Sequence, residues 1–327
     1  MTDPRRVVRV AAPSRLHFGL WSLGIPGDEA RQFGGVGAMV QQPGLRLSIF
    51  PDSSFSATGP LATRAAATAR RWCEFQGRDL PHVRIQIESA PPEHVGLGTG
   101  TQLALAVAAG LNAASGLPSQ TPQELALSVG RGLRSAVGTY GFVLGGLVVE
   151  QGKLLGERIS PLDCRIDLPD AWRFVLVRHT QAAGLSGEDE AAAMASLPTV
   201  PAAVTERLVA EVRERLVPAA ATADFATFAA SLYDYGRLSG QCFAARQGGP
   251  YKGPVLTALV GQIRHLGFAG VGQSSWGPTL FVAAESSAAA DSLVQNLQRE
   301  DTARQLQIQI AQPCNAGARI ESLPLPA

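Results

Sequence analysis

The sequence predicts an α+β fold built from two parts. Strand-like and helical segments alternate along the 327 residues, and glycine-rich turns separate them. In the second half, the order strand, helix, glycine turn, strand, helix, strand is typical of an α+β sandwich. The chain is longer than one average domain, and we place the boundary between residues 1–165 and 166–327. With 46% hydrophobic and 17% charged residues, it can form a large core.

The composition excludes several classes of protein. The formal net charge is +1, so no overall field attracts nucleic acid or a membrane, and anionic ligands must be bound locally. The four cysteines are far apart, the N-terminus lacks an apolar signal segment, and no apolar stretch is long enough to span a membrane. We therefore expect a soluble cytoplasmic protein with small-molecule ligands, and dimerisation stays open.

Residues 91–102 form the candidate phosphate site. Three alternating glycines permit a tight bend, and the alanine- and leucine-rich run 103–109 predicts a buried helix directly afterwards. The loop would then end at a helix N-terminus, where unpaired N–H groups and the positive end of the helix dipole favour phosphate. The expected phosphate or pyrophosphate contacts are Gly96, Gly98, Thr99, Gly100 and Thr101.

This loop differs from two common nucleotide-binding loops. A P-loop ends in Gly-Lys-Ser/Thr, whereas here Gly100 is followed by Thr101 and Gln102, so no lysine reaches the phosphates. A dinucleotide loop has the spacing G-x-G-x-x-G and an acidic residue about twenty positions later, whereas residues 116–122 carry no acid. A glycine turn that only caps a core helix remains the alternative.

Two further segments offer basic side chains. Arg15 and His17 share one face of an extended segment, where they either hold an anion or form a solvated strand edge. Arg131 and Arg134 lie among glycines without an acid nearby, and the planar guanidinium suits carboxylate or phosphate. For these two arginines we favour a binding role over a surface loop.

Periodicity predicts the remaining elements. Residues 61–75 form a helix whose arginines 64, 70 and 71 face solvent, and residues 142–150 and 153–159 form a hairpin. The other predicted strands are 7–13, 44–50, 82–88, 173–178, 280–284 and 305–310, and the other helices begin at 121 or span 201–247, 254–266 and 287–298.

A polar loop after residue 179 leads into three successive acids that open a helix. Glu188 and Asp189 belong to this group, and such acids complement the helix dipole. The alternative is that they contact magnesium or the substrate.

Three glycine-rich segments resemble the three motifs of the GHMP kinase superfamily. The first contains Gly35, the second is residues 92–100, and the third is residues 272–279, which include Ser274. The resemblance implies a GHMP-kinase-like two-lobed α+β fold, with a ribosomal-protein-S5-like N-terminal lobe and a ferredoxin-like α/β sandwich as the C-terminal lobe. The active site would lie between the lobes.

Two departures from that superfamily argue against a kinase. Its paired serines are replaced at residues 99–102, and Gly138 stands where its catalytic aspartate is expected. Phosphoryl transfer relies on a residue that positions or deprotonates the nucleophile, and this chain lacks the expected one. An ATP-dependent small-molecule kinase remains the alternative, but it must find its base elsewhere. A non-catalytic sensor of a phosphorylated ligand is a second alternative.

Four motifs in order resemble the β-ribofuranosylaminobenzene 5′-phosphate synthase family. They are residues 14–20, 94–102, 130–135 and 184–188. The resemblance implies an enzyme that condenses phosphoribosyl pyrophosphate with 4-aminobenzoate or 4-hydroxybenzoate. Carbon dioxide and pyrophosphate are released, early in tetrahydromethanopterin synthesis, with Mg²⁺ as cofactor.

The same resemblance suggests roles for individual residues. Arg131 and Arg134 would hold the benzoate carboxylate or the 5′-phosphate, while Arg15 and His17 contact the other anion. Helix N–H groups and Mg²⁺ would stabilise the departing pyrophosphate. The expected catalytic residues are Arg131, Arg134 and His17, the substrate contacts are Arg15, Gly35, Ser186 and Ser274, and the metal ligands are Glu188 and Asp189.

Overall fold

The computed structural model describes residues 6–22, 30–180, 196–300 and 303–325. Within these ranges, one sheet holds seven strands in the order β11-β1-β2-β4-β3, with β5 between β2 and β6. All its neighbours are antiparallel except β3 and β4. These strands are β1 Arg6–Leu20, β2 Gly35–Pro51, β3 Ser56–Thr58, β4 Val83–Ser89, β5 Leu147–Glu150, β6 Leu162–Ile166 and β11 Arg319–Pro324.

A second, antiparallel sheet has four strands in the described chain, in the order β10-β7-β9-β8. These strands are β7 Arg173–His179, β8 Val271–Gln273, β9 Thr279–Ala284 and β10 Leu306–Ala311. Because β11 follows β10 and pairs with β1, the end of the described chain returns to the first sheet. The first sheet therefore carries strands from both ends of the described chain, whereas the second sheet is built from residues 173–311 alone. The proposed boundary at residue 165 stays a prediction.

Helices cover the sheets. Those that precede the second sheet are α1 Ala62–Gln76, α2 Thr99–Ala114, α3 Pro122–Ser128 and α4 Val137–Leu144. Those of the second half are α5 Ala202–Ala210, a π-helical segment Glu211–Leu216, α6 Val217–Ala221, α7 Phe225–Gln241, α8 Ala244–Gln247, α9 Gly253–His265 and α10 Ser287–Gln298. In the described ranges, every helix is too short or too polar to cross a lipid bilayer.

Local sequence explains several helix ends. Thr121 accepts a hydrogen bond from the Glu124 N–H, and the Glu124 carboxylate accepts one from the Thr121 N–H, so α3 begins with a capping box. Pro122 occupies the first helical position, where its missing N–H costs nothing. Ser286 caps α10 through the Ala289 N–H.

The predicted hairpin at 142–150 and 153–159 is wrong. The helix α4 occupies the start of this segment, β5 pairs with β2 and β6, and no strand lies at 153–159. Gly145 and Gly146 end the helix with φ values of 64° and 77°. Since the apolar run 142–149 is largely buried, its hydrophobicity has no period that separates helix from strand. The strand β11 was also not predicted.

The two sheets share a core of aromatic side chains. Phe18 of β1 lies 4.9 Å from Phe281 of β9 and 6.3 Å from Phe174 of β7, measured between ring centroids. All three rings are buried, and α7 closes the same core with Phe228. Aromatic contacts of this kind add to the hydrophobic gain from burial. These rings therefore join the two sheets in one core.

We predict that Phe18→Ala lowers the free energy of unfolding by about 3–5 kcal/mol, as large-to-small changes of buried aromatics do. Chemical denaturation followed by circular dichroism measures this change. Phe75→Ala is the matched control, because Phe75 of α1 is 47% exposed and its loss should cost less than about 0.5 kcal/mol. Equal effects of the two substitutions would contradict the shared aromatic core.

Candidate active site

Three segments that are distant in sequence meet at β1. The Arg15 N–H donates to the Leu97 carbonyl over 3.0 Å, and the His17 N–H donates to Ser274 Oγ over 3.0 Å. Ser274 Oγ in turn donates to the Gly96 carbonyl over 2.6 Å. These bonds hold the glycine-rich loop 91–98 between β1 and the segment after β8. We call this arrangement the β1 junction.

A cavity of about 400 Å³ opens beside the β1 junction. Its volume lies within the range of about 300–1,000 Å³ that is usual for small-molecule sites. Four arginines line it: Arg15 of β1, Arg64 of α1, and Arg131 and Arg134 from the loop between α3 and α4. Since the whole chain has a net charge of only +1, this wall is a local concentration of cationic groups suited to phosphate or carboxylate.

The first turn of α2 forms another part of the cavity wall. Gly98 precedes it with φ 71°, and the Gly98 carbonyl accepts from the N–H groups of Thr101 and Gln102. Within the described chain, no hydrogen bond uses the N–H of Thr99 or Gly100, and both residues line the cavity. The helix therefore presents two backbone donors and the positive end of its dipole to the cavity. The loop ends at a helix N-terminus as the glycine spacing predicts, and phosphate binding there stays a prediction.

Arg64 is a cavity residue, and the prediction that it faces bulk solvent was wrong. It pairs with Glu93, and a Cβ placed on Gly100 would lie 2.5 Å from its Nη2 atom. Arg70 and Arg71 on the same helix are exposed, as predicted. Helix α1 packs along α2, so its first turn lies beside the phosphate loop, and no sequence pattern reports that packing.

Gly138 also lies beside the phosphate loop. Gln102 Nε2 donates to its carbonyl over 2.9 Å, and a Cβ at this glycine would lie 3.4 Å from the Thr101 methyl and 3.9 Å from Arg15 Nε. The position that resembles the kinase aspartate therefore lies directly behind the cavity-lining Thr101 and Arg15 and carries no carboxylate. Among the described residues that line the cavity, Glu93 is the single acidic side chain.

An aromatic pair lines the cavity on the side of the second sheet. Phe243 and Trp276 meet edge to face, with ring centroids 5.0 Å apart and ring planes at 79°. Both rings are almost fully buried and pack with Leu20 of β1. Flat apolar surfaces of this kind favour aromatic ligands. Cationic and aromatic walls thus face one cavity.

A row of three polar side chains leads from the cavity into the core. His17 Nε2 lies 3.0 Å from Ser135 Oγ, and Ser135 Oγ donates to Glu150 Oε1 over 2.5 Å. The second carboxylate oxygen of Glu150 accepts from the Ala136 N–H over 2.7 Å. Burial raises the pKa of Glu150 from 4.5 to about 7, although these hydrogen bonds oppose the shift. Burial, together with the nearby Arg15 charge, lowers the pKa of His17 well below its usual value.

The other predicted residues fall into two groups. Gly35 lies in β2, where a Cβ would meet the Gly19 carbonyl at 2.5 Å, and Ser274 is fully buried in the β1 junction. Close packing explains Gly35, and the two hydrogen bonds of the β1 junction explain Ser274. Their predicted substrate contacts stay predictions. Ser186, Glu188 and Asp189 lie outside the described residues. Within the described residues, no three His, Cys, Asp or Glu side chains form a group that could hold a metal.

Two known proteins are similar to this chain along most of its length. The β-ribofuranosylphenol 5′-phosphate synthase of Methanothermobacter thermautotrophicus is 29% identical over 83% of this chain and 87% of its own. The protein of the same name from Archaeoglobus fulgidus is 29% identical over 86% of this chain and 89% of its own.

Two family models match separate parts of the chain, one in each half. The model described as "GHMP kinases N terminal domain" matches residues 61–146, and the one described as "GHMP kinases C terminal" matches residues 216–302. Mevalonate-3-kinase from Thermoplasma acidophilum has a similar structure, with a TM-score of 0.68 and 12% identity over 98% of this chain and 99% of its own. At that identity, the likeness establishes the fold, and the predicted two-lobed α+β architecture is confirmed.

We predict that Gly96→Ala weakens the β1 junction. A Cβ at this position would lie 2.4 Å from the Ser274 carbonyl oxygen, and the residue has φ +92°. Gly116→Ala is the matched control, because Gly116 also has a positive φ, +64°, but no atom lies within 4 Å of its Cβ position. Both variants carry backbone strain, whereas only Gly96→Ala adds a steric clash.

Gly96→Ala should therefore be destabilised by about 2 kcal/mol more than the control, since overpacking typically costs 1–3 kcal/mol. Chemical denaturation measures this difference, and calorimetric titration should record weaker pyrophosphate binding. Equal stability and equal binding of the two variants would mean that the loop tolerates displacement.

Proposed function

The chain belongs to the GHMP kinase superfamily, and we propose that it transfers a phosphoribosyl group instead of a phosphoryl group. In this reaction, phosphoribosyl pyrophosphate condenses with 4-hydroxybenzoate. A carbon–carbon bond forms between the ring and C1 of the ribose, and pyrophosphate and carbon dioxide leave. The resemblance to the synthase family places this step early in tetrahydromethanopterin synthesis.

The observation that carries this proposal is that a cationic wall and an aromatic wall line the same cavity. Phosphoribosyl pyrophosphate brings two anionic groups, and the aromatic acid brings a third together with a flat ring. Four arginines and the start of α2 suit the anions, while Phe243 and Trp276 suit the ring. The similarity to two named synthases over more than 80% of the chain supports the same activity.

The kinase alternative is less well supported. A kinase of this fold would need a group that deprotonates or positions the acceptor hydroxyl beside the phosphate loop. Gly138 offers none there, and the cavity-lining Glu93 is paired with Arg64. The proposed reaction needs no base at this position, because its nucleophile is a ring carbon and its electrophile is a sugar carbon.

The names of the relatives favour one aromatic acid. A ribosylated phenol results when the ribose replaces the carboxylate of 4-hydroxybenzoate, whereas 4-aminobenzoate would give a ribosylated aniline. Both synthases are named for the phenol. We therefore place 4-hydroxybenzoate ahead of 4-aminobenzoate as the substrate of this protein.

The site suggests how the substrates are held. The N–H groups of Thr99 and Gly100, together with Arg64, would contact the pyrophosphate, whose negative charge grows as the C1–O bond breaks. Arg131 and Arg134 would hold the benzoate carboxylate or the 5′-phosphate. Arg15 would contact the remaining anion. His17 lies beside it as a neutral imidazole, since its pKa is lowered, so it would contribute hydrogen bonding and no positive charge.

Magnesium fits this arrangement as a partner of the pyrophosphate. Mg²⁺ is usually held by one or two carboxylates, substrate phosphates and several waters. In the described part of the cavity, the one carboxylate is that of Glu93, which would have to share its pairing with Arg64 to bind the ion. Glu188 and Asp189 stay the proposed additional ligands. When bound, the ion would neutralise charge on the leaving pyrophosphate.

Incubation of the purified protein with Mg²⁺, phosphoribosyl pyrophosphate and carboxyl-labelled acid tests the proposal. We expect labelled carbon dioxide and pyrophosphate in equal amounts, with 4-hydroxybenzoate turned over faster than 4-aminobenzoate. Omission of phosphoribosyl pyrophosphate is the control and should abolish both products. If neither product forms while ATP is consumed with a small alcohol, the protein is a kinase and the proposal fails.

Substitution of the cavity arginines tests their roles. Arg131→Ala and Arg64→Ala should each lower kcat/KM about 10–100-fold, because a hydrogen bond to a charged group contributes about 1.5–3 kcal/mol. Arg70→Ala is the matched control, since Arg70 is on the same helix as Arg64 but is exposed, and its activity should match that of the wild type. Full activity of Arg131→Ala would remove this residue from the substrate site.

A further inference from the structure

The row His17, Ser135 and Glu150 joins the cavity to a buried carboxyl group. Its members come from β1, from the turn before α4 and from the end of β5, so three separate elements converge on it. Glu150 has no exposed surface and His17 has 4%. Among the described residues, no lysine or arginine forms an ion pair with Glu150, and its acceptor atoms are filled by hydroxyl and N–H donors.

Because Ser135 has a single hydroxyl hydrogen, it couples the protonation state of Glu150 to that of His17. When Glu150 is ionised, Ser135 donates to it, so His17 Nε2 must donate to Ser135 and Nδ1 is left as the accepting nitrogen. When Glu150 is protonated, its hydroxyl donates to Ser135 and Ser135 donates to His17 Nε2. The hydrogen of the neutral imidazole is then on Nδ1. The row can therefore move one proton between the cavity and the core without forming a lasting imidazolium ion, which burial disfavours.

The geometry leaves Nδ1 of His17 available for this exchange. His17 lines the cavity, and in the described chain its ring makes a hydrogen bond only through Nε2. The carboxyl group at the other end has a pKa of about 7, so it can both take and return a proton near neutrality.

We propose that His17, Ser135 and Glu150 take the phenolic proton of 4-hydroxybenzoate while the carbon–carbon bond forms, and return it after carbon dioxide leaves. This inference rests on the function proposed above. His17 would be the catalytic residue that touches the substrate. Ser135 and Glu150 act through it and are positioning residues.

The steps balance in protons and electrons. The phenol O–H bond breaks, and its electron pair moves through the ring, so the carbon bearing the carboxylate bonds to C1 of the ribose as pyrophosphate leaves. The product of that step is a cyclohexadienone that still carries the carboxylate. Its bond to the carboxylate then breaks, carbon dioxide leaves, and the returning electrons form a phenolate. The phenolate recovers the proton from His17 Nδ1.

The row would also discriminate between aromatic acids. A phenol hydroxyl such as that of tyrosine ionises near pH 10 and needs a base to release its electrons at neutral pH. An amino group already has a free electron pair, so 4-aminobenzoate can push electrons into the ring without losing a proton. Only the phenolic acid gains from the row.

Glu150→Gln tests the proposal with a paired substrate. Glutamine keeps the shape of the side chain, but its amide donates to Ser135. Ser135 must then donate to His17 Nε2, so the hydrogen stays on Nδ1 and this nitrogen cannot accept the phenolic proton. We expect kcat with 4-hydroxybenzoate to fall about 10²-fold, within the range for a positioned acid–base group. The loss should shrink below about fivefold with 3,5-difluoro-4-hydroxybenzoate, whose more acidic hydroxyl is ionised beforehand. The ratio of turnover with 4-hydroxybenzoate to that with 4-aminobenzoate should fall in parallel.

Glu88→Gln is the matched control. Glu88 accepts from Ser48 over 2.5 Å in a similar serine–glutamate pair, but neither residue lines the cavity, so all three acids should behave as with the wild type. Ser135→Ala interrupts the row without changing the carboxyl group, and it should reproduce the loss and the rescue. Ser135→Ala also tests the proposal if the Glu150→Gln variant does not fold.

The pH profile gives an independent readout. Protonation of Glu150 blocks the row, so kcat/KM of the wild type with 4-hydroxybenzoate should fall as the pH drops below about 7. Tyr140 and Tyr235 also face Glu150, and burial raises both of their pKa values, so they stay neutral across this range. Arg15 stays charged. With the difluoro acid the acid limb should move to lower pH, because its more acidic hydroxyl stays ionised further into the acidic range.

The outcomes separate the two proposals. If the wild type forms no product from any of these acids, the proposed function itself fails. If the wild type is a synthase but Glu150→Gln loses the same factor with every acid, the row has only a structural role and this inference is overturned. A loss confined to the non-fluorinated phenol supports it.

Discussion

The β1 junction is the interaction on which the rest of the site depends. Backbone and hydroxyl groups at residues 15–17, 96–97 and 274 join one strand, one glycine-rich loop and one turn through buried hydrogen bonds. Because Ser274 Oγ both accepts from β1 and donates to the loop, removal of either neighbour would leave a buried polar group without a partner. The junction therefore fixes the start of α2 against Arg15, and so positions the helix N-terminus relative to the cationic wall.

The electrostatics of the cavity follow from where the fold places a few charges. The chain is nearly neutral overall, yet four of its arginines line one cavity. Among the described residues that line it, the one acidic side chain, Glu93, pairs with Arg64. On the far side of this wall, Glu150 is surrounded by hydroxyl and N–H donors and has no cation beside it in the described chain. The site thus separates groups that attract anions from a group that can store a proton.

The sequence predicted the parts of the site that are local. The alternating glycines before an apolar run define the start of α2, and Thr121 with Pro122 and Glu124 defines the start of α3. Arg64 was missed because its role depends on how α1 packs against α2. Glu150 was missed because it ends a buried strand, and nothing in the sequence relates it to a histidine 133 positions earlier in the chain. The two residues come together through the register of the strands in the sheet, which sequence periodicity does not reveal.

Gly138 suggests how one fold can support a different reaction. In phosphoryl transfer, a carboxylate near the phosphates has a nucleophile to activate. In the proposed reaction, the bond that breaks joins the pyrophosphate to a sugar carbon, and negative charge accumulates on the leaving group next to α2. The Cβ of a side chain at residue 138 would lie 3.9 Å from Arg15 Nε and 3.4 Å from the Thr101 methyl. An aspartate there would place negative charge close to the cationic wall, where it would compete for the arginines and repel the departing anion. Glycine at this position keeps the wall cationic, and the one acid–base group that the phenol needs is displaced into the core behind Ser135.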